Sequence, residues 1–457
     1  MKKELIIALI LIVPVLNGCG IYTNYQRPEI SSIDSLYRDI PVVEEDTASL
    51  ADVSWRELFT DPQLAKWIEL GLEKNTDLQV ARLKIEEANA TLLSSKLAFL
   101  PSVSLAPQGS LNSFDGSKPS KTYSLGGSAE WEVDIFGNLR NAKKGARAAL
   151  EASKAYEQAV QTQLIATIAD TYYSLLALDK KLAISRETTQ KWQENVRVME
   201  ALKRAGQKDN AAVAQAKANL LETESSILSL EKQIHELENS FSTLLGIVPQ
   251  EIERGDLFDL AFSTDLSVGL PIQLLSKRPD IRQAEYELAQ AFYATNKARS
   301  AFYPQITLSG SAGWTNSSGT SIVNPGKWLL SAVGSLVQPI FNRGNNIANL
   351  KIAKAQQEEA LLTFGQKLLD AGTEVNNSLV QWQTAQKSLL LDKQRIEFLE
   401  SAVHSTRLLM KHGNTSYLEV LTAQQTLLQS QLVEVSDKYD EIQGVINLYH
   451  ALGGGTD

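Results

Sequence analysis

The 457-residue chain has one cysteine, three methionines and four histidines, and no long apolar run beyond Leu16. A single cysteine excludes a disulfide framework and any cysteine-based zinc site. His235, His404, His412 and His450 lack the spacing of metal ligands, and Met1, Met199 and Met410 form no soft-metal relay. With no second apolar stretch of about 20 residues, no transmembrane helix follows the leader, so a passage through the bilayer would have to be built from β-strands. Cationic residues are also in deficit, 44 against 53 acidic ones, which makes the chain a poor partner for nucleic acid. No nucleotide loop or nucleophile elbow is present, and Gly453-Gly454-Gly455 lacks the flanking strand and helix of a phosphate loop. The expectation is a chain with no catalytic residue, no metal and no cofactor.

What is present begins with Lys2 and Lys3, an apolar run from Leu5 to Leu16, and then Leu16-Asn17-Gly18-Cys19. About a dozen apolar residues are too few to span a bilayer and suit a signal peptide, here residues 1–18. Leu-Asn-Gly-Cys resembles a bacterial lipobox, which makes Cys19 the expected lipid-attachment residue and first mature residue. The leader takes two lysines and one glutamate with it, leaving 42 basic against 52 acidic residues. Gly20 follows where an aspartate would favour inner-membrane retention, so the outer membrane is expected. Residues 19–53 are polar, without strong periodicity, and read as a lipid-anchored N-terminal segment.

The remainder is duplicated. Asn75-Thr76-Asp77-Leu78 returns as Arg278-Pro279-Asp280-Ile281, and Ala98-Phe99-Leu100-Pro101 as Ala301-Phe302-Tyr303-Pro304. Further on, Ile135-Phe136 matches Ile340-Phe341, Gly206 matches Gly413, and Leu245-Gly246 matches Leu452-Gly453, at offsets of 203 to 207. Two repeats follow, residues 54–262 and 263–457, each expected to contain a helix, a strand pair and a long helical hairpin.

Within each repeat the hydrophobic period changes. Val103, Leu105, Pro107 and Leu111 alternate with Ser102, Ser104, Gln108 and Ser110; Tyr123, Leu125, Ala129, Trp131, Val133 and Ile135 alternate with Thr122, Ser124, Ser128, Glu130, Glu132 and Asp134. The second repeat sets Ile306, Leu308, Ala312 and Trp314 against Gln305, Thr307, Ser309 and Ser311, followed by a less regular Trp328–Ile340. Such alternation suits strands with one face to lipid and the other to a wet lumen. On that reading Glu130, Glu132 and Asp134 belong to a lumen wall and not to a hydrolytic pair or a calcium site. Residues 112–120 and 316–326, rich in Gly, Ser, Asn and Pro, read as the loops.

From Leu139 to Ala205 there is no proline and one glycine, Gly145, enough for a helix of about 100 Å. A second run ends at Leu245-Gly246 and carries Val213, Leu220, Ile227, Ile234 and Phe241 at heptad spacing, interleaved with Leu230, Leu237 and Leu244. The second repeat answers with Leu421, Leu428, Val435, Ile442 and Tyr449, interleaved with Leu432, Tyr439 and Ile446, one residue out of the duplication register. Each coiled-coil hairpin turns at a glycine, Gly206 or Gly413. Four membrane strands cannot close a barrel, so copies of the chain must complete it in a ring.

The chain resembles the TolC-type outer-membrane factor family, and within it the lipoprotein efflux branch. The resemblance rests on Trp55-Arg56-Glu57-Leu58-Phe59 with Asp61-Pro62-Gln63-Leu64, on Trp131-Glu132-Val133-Asp134-Ile135-Phe136-Gly137, and on Gly269-Leu270-Pro271 with Arg278-Pro279-Asp280-Ile281-Arg282. Gln338-Pro339-Ile340-Phe341 and the closing Tyr449-His450-Ala451-Leu452-Gly453-Gly454-Gly455 complete it. It implies a mixed α and β membrane protein, a homotrimer whose coiled-coil hairpins form an α-barrel and whose strands, four per protomer, close a twelve-stranded β-barrel. It implies further a passive exit duct of a tripartite efflux system, with a periplasmic adaptor and an inner-membrane pump of the RND type as partners. A type I secretion duct of the same fold and a structural surface lipoprotein are the alternatives. By the same resemblance Gly206 and Gly413 lie at the adaptor-docking tip, and Leu418 and Glu419 at the channel gate, with Thr422 where several relatives carry a second aspartate. Ordinary coiled-coil packing is the rival reading for Leu418.

Overall fold

The computed structural model describes residues 22–28, 53–113, 115–206, 209–259, 278–315, 327–412 and 417–456. Cys19, Gly413, the leader and the 316–326 loop lie outside the described residues. In chain order the elements are α1 (Trp55–Leu58), α2 (Pro62–Lys74), α3 (Thr76–Leu97), β1 (Ser102–Asn112), β2 (Ser120–Val133), α4 (Asn138–Arg204) and α5 (Asn210–Leu244). A short 3-10 turn at Leu257–Asp259 precedes α6 (Pro279–Ser300), β3 (Gln305–Thr315), β4 (Lys327–Val337), α7 (Asn345–Lys411) and α8 (Tyr417–Ala451). The duplication is visible as length: α3 and α6 have 22 residues each, β1 and β3 have 11, α4 and α7 have 67, and α5 and α8 have 35. Equivalent glycines also share a left-handed backbone, φ +70° at Gly246 and +87° at Gly453.

Helix boundaries follow from local chemistry. The Asp61 side chain accepts from the Gln63 amide at 2.8 Å and Pro62 stands at the first helical position, so α2 begins capped and without a wasted donor. Asn75 closes α2 and its side-chain oxygen accepts from the Leu78 amide at 2.9 Å to open α3, while its Nδ2 donates to the Leu244 carbonyl at 2.8 Å. One buried asparagine thus joins two helices and ties them to the end of α5.

The chain divides into two compact units. Among the described residues the sheet unit comprises 22–28, 83–113, 115–155, 282–315 and 327–366. Its sheet is antiparallel in the order β1-β2-β3-β4, so each repeat supplies a hairpin and the repeats meet where β2 pairs with β3. Residues 22–28 lie along this unit: the Tyr22 hydroxyl donates to the Phe136 carbonyl at 2.8 Å, Tyr25 meets Phe292 edge-on, and Arg27 pairs with Glu285 at 3.6 Å.

Among the described residues the hairpin unit comprises 53–82, 156–206, 209–259, 278–281, 367–412 and 417–456. Its core gathers Trp55, Phe59, Leu64, Trp67, Ile68, Tyr172, Tyr173, Phe241, Ile442 and Tyr449. Three buried polar tips are paired: Trp67 Nε1 donates to the Glu253 carbonyl at 3.0 Å, the Tyr172 hydroxyl to Asp61 at 2.6 Å, and the Tyr449 hydroxyl to the Val53 carbonyl at 2.9 Å, whereas Trp55 Nε1 has no partner among the described residues. The one-residue difference between the heptad frames has its reason here. At the two ends of α8 adjacent rows are buried, Val420 beside Leu421 and Leu448 beside Tyr449, so there both registers fall on the packed face; between them the heptad register carries buried Val435 and Ile442 while Glu434 and Glu441 hold the duplication register. In α5 the seam is narrower and partly polar, with Asn219, Thr223 and Glu238 buried among Val213, Ala216, Ile234 and Phe241.

Candidate functional site

The strand wall shows what the alternation produces. Directly opposite residues of an antiparallel pair share a face, and the pairs Val103↔Ala129, Pro107↔Leu125, Leu125↔Trp314, Trp131↔Leu308, Ile306↔Leu336 and Ala312↔Leu330 carry one apolar face across all four strands. The opposite face carries Ser104↔Ser128, with the two hydroxyls 2.8 Å apart, then Glu130↔Ser309, Glu132↔Thr307 and Ser311↔Ser331. Val333 and Val337 share that polar face, which is why β4 alternates less cleanly in sequence. Val103 is 79% exposed and Leu330 74%, with β1 exposed along its whole length. An apolar sheet face of this extent is stable against hydrocarbon rather than water. No helix among the described residues is long and apolar enough to cross a membrane.

At the tip, α4 ends on Gly206 at φ +70°, whose amide donates to the Lys203 carbonyl at 3.0 Å, a left-handed cap that side-chain-bearing residues resist. Asp209 restarts the chain by accepting from the Ala212 amide at 3.0 Å, and Lys203 reaches Asn210 at 2.7 Å. A Cβ on Gly206 would meet nothing within 4 Å, so its surface is open.

Leu418 and Glu419 sit in the first turn of α8. Tyr417, Val420, Leu421 and Gln424 are buried at helical spacing, and the first three pack with Trp192 and Met199 of α4 and Val213 and Ala216 of α5. That arrangement turns Leu418 and Glu419 to the other face, where Leu418 is 63% exposed. Thr422 lies on the same side and donates its hydroxyl proton to the Leu418 carbonyl at 2.9 Å. Beneath the turn the Tyr417 hydroxyl is buried with no hydrogen-bond partner among the described residues, and burial holds its pKa above the ordinary phenol value. Sequence reading did not single out Trp192 and Met199, which support this turn; their seven-residue spacing in α4 was the available signal.

The Arg278-Pro279-Asp280 motif serves structure. Arg278 is 3% exposed, donates to the Ala451 carbonyl at 2.8 Å, and pairs with Asp280 and Glu374, each at 2.8 Å. Burial alone would raise the Asp280 carboxyl, but the hydrogen bonds and charge of Arg278 outweigh it and hold the group below its usual range. Burial first, then the Arg278 charge, lowers the His450 imidazole, so it packs neutral beside the cation. Among the described residues no group of His, Cys, Asp and Glu is arranged to hold a metal ion.

The model of the outer membrane efflux protein family matches residues 67–247 and 270–454, both repeats. The chain belongs to the outer membrane efflux protein family. It is 29% identical to the probable outer membrane lipoprotein SilC of Salmonella typhimurium, over 96% of each chain. It is likewise 29% identical, over 96% of each chain, to the cation efflux system protein CusC of Escherichia coli. The open-state MtrE outer membrane channel of Neisseria gonorrhoeae superposes with a TM-score of 0.85 at 26% identity, over 96% of this chain and 99% of that one. These relatives are transport proteins and not enzymes. The present chain is accordingly an outer membrane efflux channel.

Proposed function

We propose that this efflux protein is the passive exit duct of a tripartite system, in which three copies close their four-stranded sheets into one twelve-stranded barrel. The carrying observation is the sheet itself: one continuous apolar face, one polar face, and two edge strands, β1 and β4, that no other strand among the described residues covers. Open edges are not tolerated in hydrocarbon, and a head-to-tail ring removes them. The long hairpins then carry the conduit into the periplasm, where an adaptor docks at the Gly206 and Gly413 turns and joins the duct to an inner-membrane pump of the RND type. Cys19 holds the lipid that tethers each copy to the outer membrane. Leu418 and Glu419, on the outward face of α8, form the apolar plug and acidic ring of the resting gate. Energy and cargo choice reside in the pump.

Purified protein in a planar bilayer tests the reading. The wild type conducts in small, rarely open steps, and Leu418→Ala raises the resting conductance severalfold. A preparation that never conducts under any gating condition sinks the duct; equal conductance in wild type and Leu418→Ala moves the gate elsewhere.

A further inference from the structure

Where the two repeats meet inside one chain, the seam is clasped at its helix-side end. Val133 at the end of β2 pairs with Ile306 at the start of β3. Just beyond, the Phe136 ring stacks on the Tyr303 ring, with centroids 5.2 Å apart and planes 15° from parallel. Phe136 comes from the first repeat and Tyr303 from the second, and both are half-buried.

The duplication supplies a second set of the same two parts. Phe341 is the second-repeat equivalent of Phe136, and Leu100, 203 positions before Tyr303, is the first-repeat equivalent of that residue. Both are uncovered: Phe341 is 85% exposed, its neighbour Ile340 96%, and Leu100 61%. They cannot reach each other within one chain. Phe341 follows β4 and Leu100 precedes β1, the two outer strands of the sheet, with β2 and β3 between. Three strand spacings place the edges about 14 Å apart. Each chain therefore carries one half-clasp of each kind, on opposite edges, as a head-to-tail ring requires.

We infer that Phe341 of one copy closes on Leu100 of the next, repeating at every boundary between copies the clasp that Phe136 and Tyr303 make inside the chain. The inference rests on the ring proposed above and adds the side chains that lock it. A lipid tail is the competing occupant for Ile340 and Phe341, but a lipid contact would leave the matched exposure of Leu100 without a reason, whereas the intrachain clasp accounts for both. The boundary clasp differs in one respect. Tyr22 donates to the Phe136 carbonyl beside the intrachain clasp, and no such strap adjoins Phe341 among the described residues, so the boundary depends on the apolar contact itself.

The test is thiol cross-linking in outer-membrane fractions with a short bifunctional maleimide, in full-length protein whose only native cysteine is Cys19. Phe136→Cys with Tyr303→Cys in one chain calibrates the reagent, since their link is intrachain. Phe341→Cys and Leu100→Cys are then placed on separate, differently tagged chains and co-expressed. The expected result is a covalent heterodimer carrying both tags, and a ladder ending at three chains when both substitutions share one chain. Phe341→Ala should lower the temperature at which the assembly separates in detergent, and Phe341→Leu should restore it. Absence of any cross-link in protein that assembles and conducts overturns the clasp alone, as does strong quenching of a Phe341→Cys fluorophore by lipid-borne quenchers in the assembled protein. A wild type found only as monomer overturns the clasp and the ring together.

Discussion

The hairpin unit and the sheet unit solve the problem of apolar surface in opposite ways. In the hairpin unit the large side chains face inward: Trp55, Phe241 and Tyr172 are fully buried, the Tyr172 hydroxyl finds the Asp61 carboxylate, and the Trp55 indole N–H is buried with no hydrogen-bond partner among the described residues. In the sheet unit Val103, Leu105 and Leu330 stand in the open, and β1 is exposed along its whole length among the described residues. The first unit contains its own solvent; the second needs lipid and other copies to supply one. Folding of the hairpins and insertion of the sheet should therefore respond to different substitutions.

Three measurements can break that separation. The largest effect is expected from Arg278→Ala, which strands the Asp280 carboxylate beside the chain's C-terminal turn. Glu374 is half exposed and rehydrates, but the charged hydrogen bonds of Arg278 to the Ala451 carbonyl and to Asp280 are lost, at about 1.5–3 kcal/mol each, read as a lower unfolding midpoint by circular dichroism in detergent. Undiminished stability would show that the cluster is not part of the core. A smaller effect is expected from Leu105→Arg on the apolar face, about 2–4 kcal/mol against insertion, seen as less protein in outer-membrane fractions with helical content unchanged. Loss of helix along with insertion would mean that the units do not fold separately. The smallest comes from Asp437 in α8. Burial, and then the hydrogen bond and charge of Asp392, push its carboxyl up to about 6. A raised carboxyl stabilises the fold below its ordinary range, and the benefit fades as pH climbs through about 6. Wild-type stability should fall between pH 5 and 7 while Asp437→Asn stays level, and parallel pH curves would remove the effect.

The same contrast explains what was legible beforehand. Period-two alternation exposed both faces of β1, β2 and β3 because each strand's two environments differ sharply. The pairing of β2 with β3 was not legible, because its register, Trp131↔Leu308 for one, is fixed by residues far apart in sequence. The heptad rows of α5 and α8 announced the hairpins, but one row per helix hid the doubled face at the two ends of α8. Residues 22–28 read as featureless because Tyr22, Tyr25 and Arg27 each touch a different element, which leaves no period to detect. Leu418 and Glu419 are assigned to the channel gate by resemblance alone, and the buried set Tyr417, Val420 and Leu421 shows only that both lie off the packed face of α8.

The equal lengths of paired helices carry a consequence for how such proteins change over generations. α4 and α7 each run 67 residues and α5 and α8 each run 35, and their packing joins all four near the tip through Trp192, Val213, Met410 and Tyr417. One added residue in a single helix would turn everything beyond it by about 100° and detach that end from its neighbours. Seven residues added to one hairpin alone would restore the faces but raise its turn about 10 Å above the other. Viable length variants must then gain or lose whole heptads in all four helices at once, so the reach of such a duct changes in discrete, matched steps.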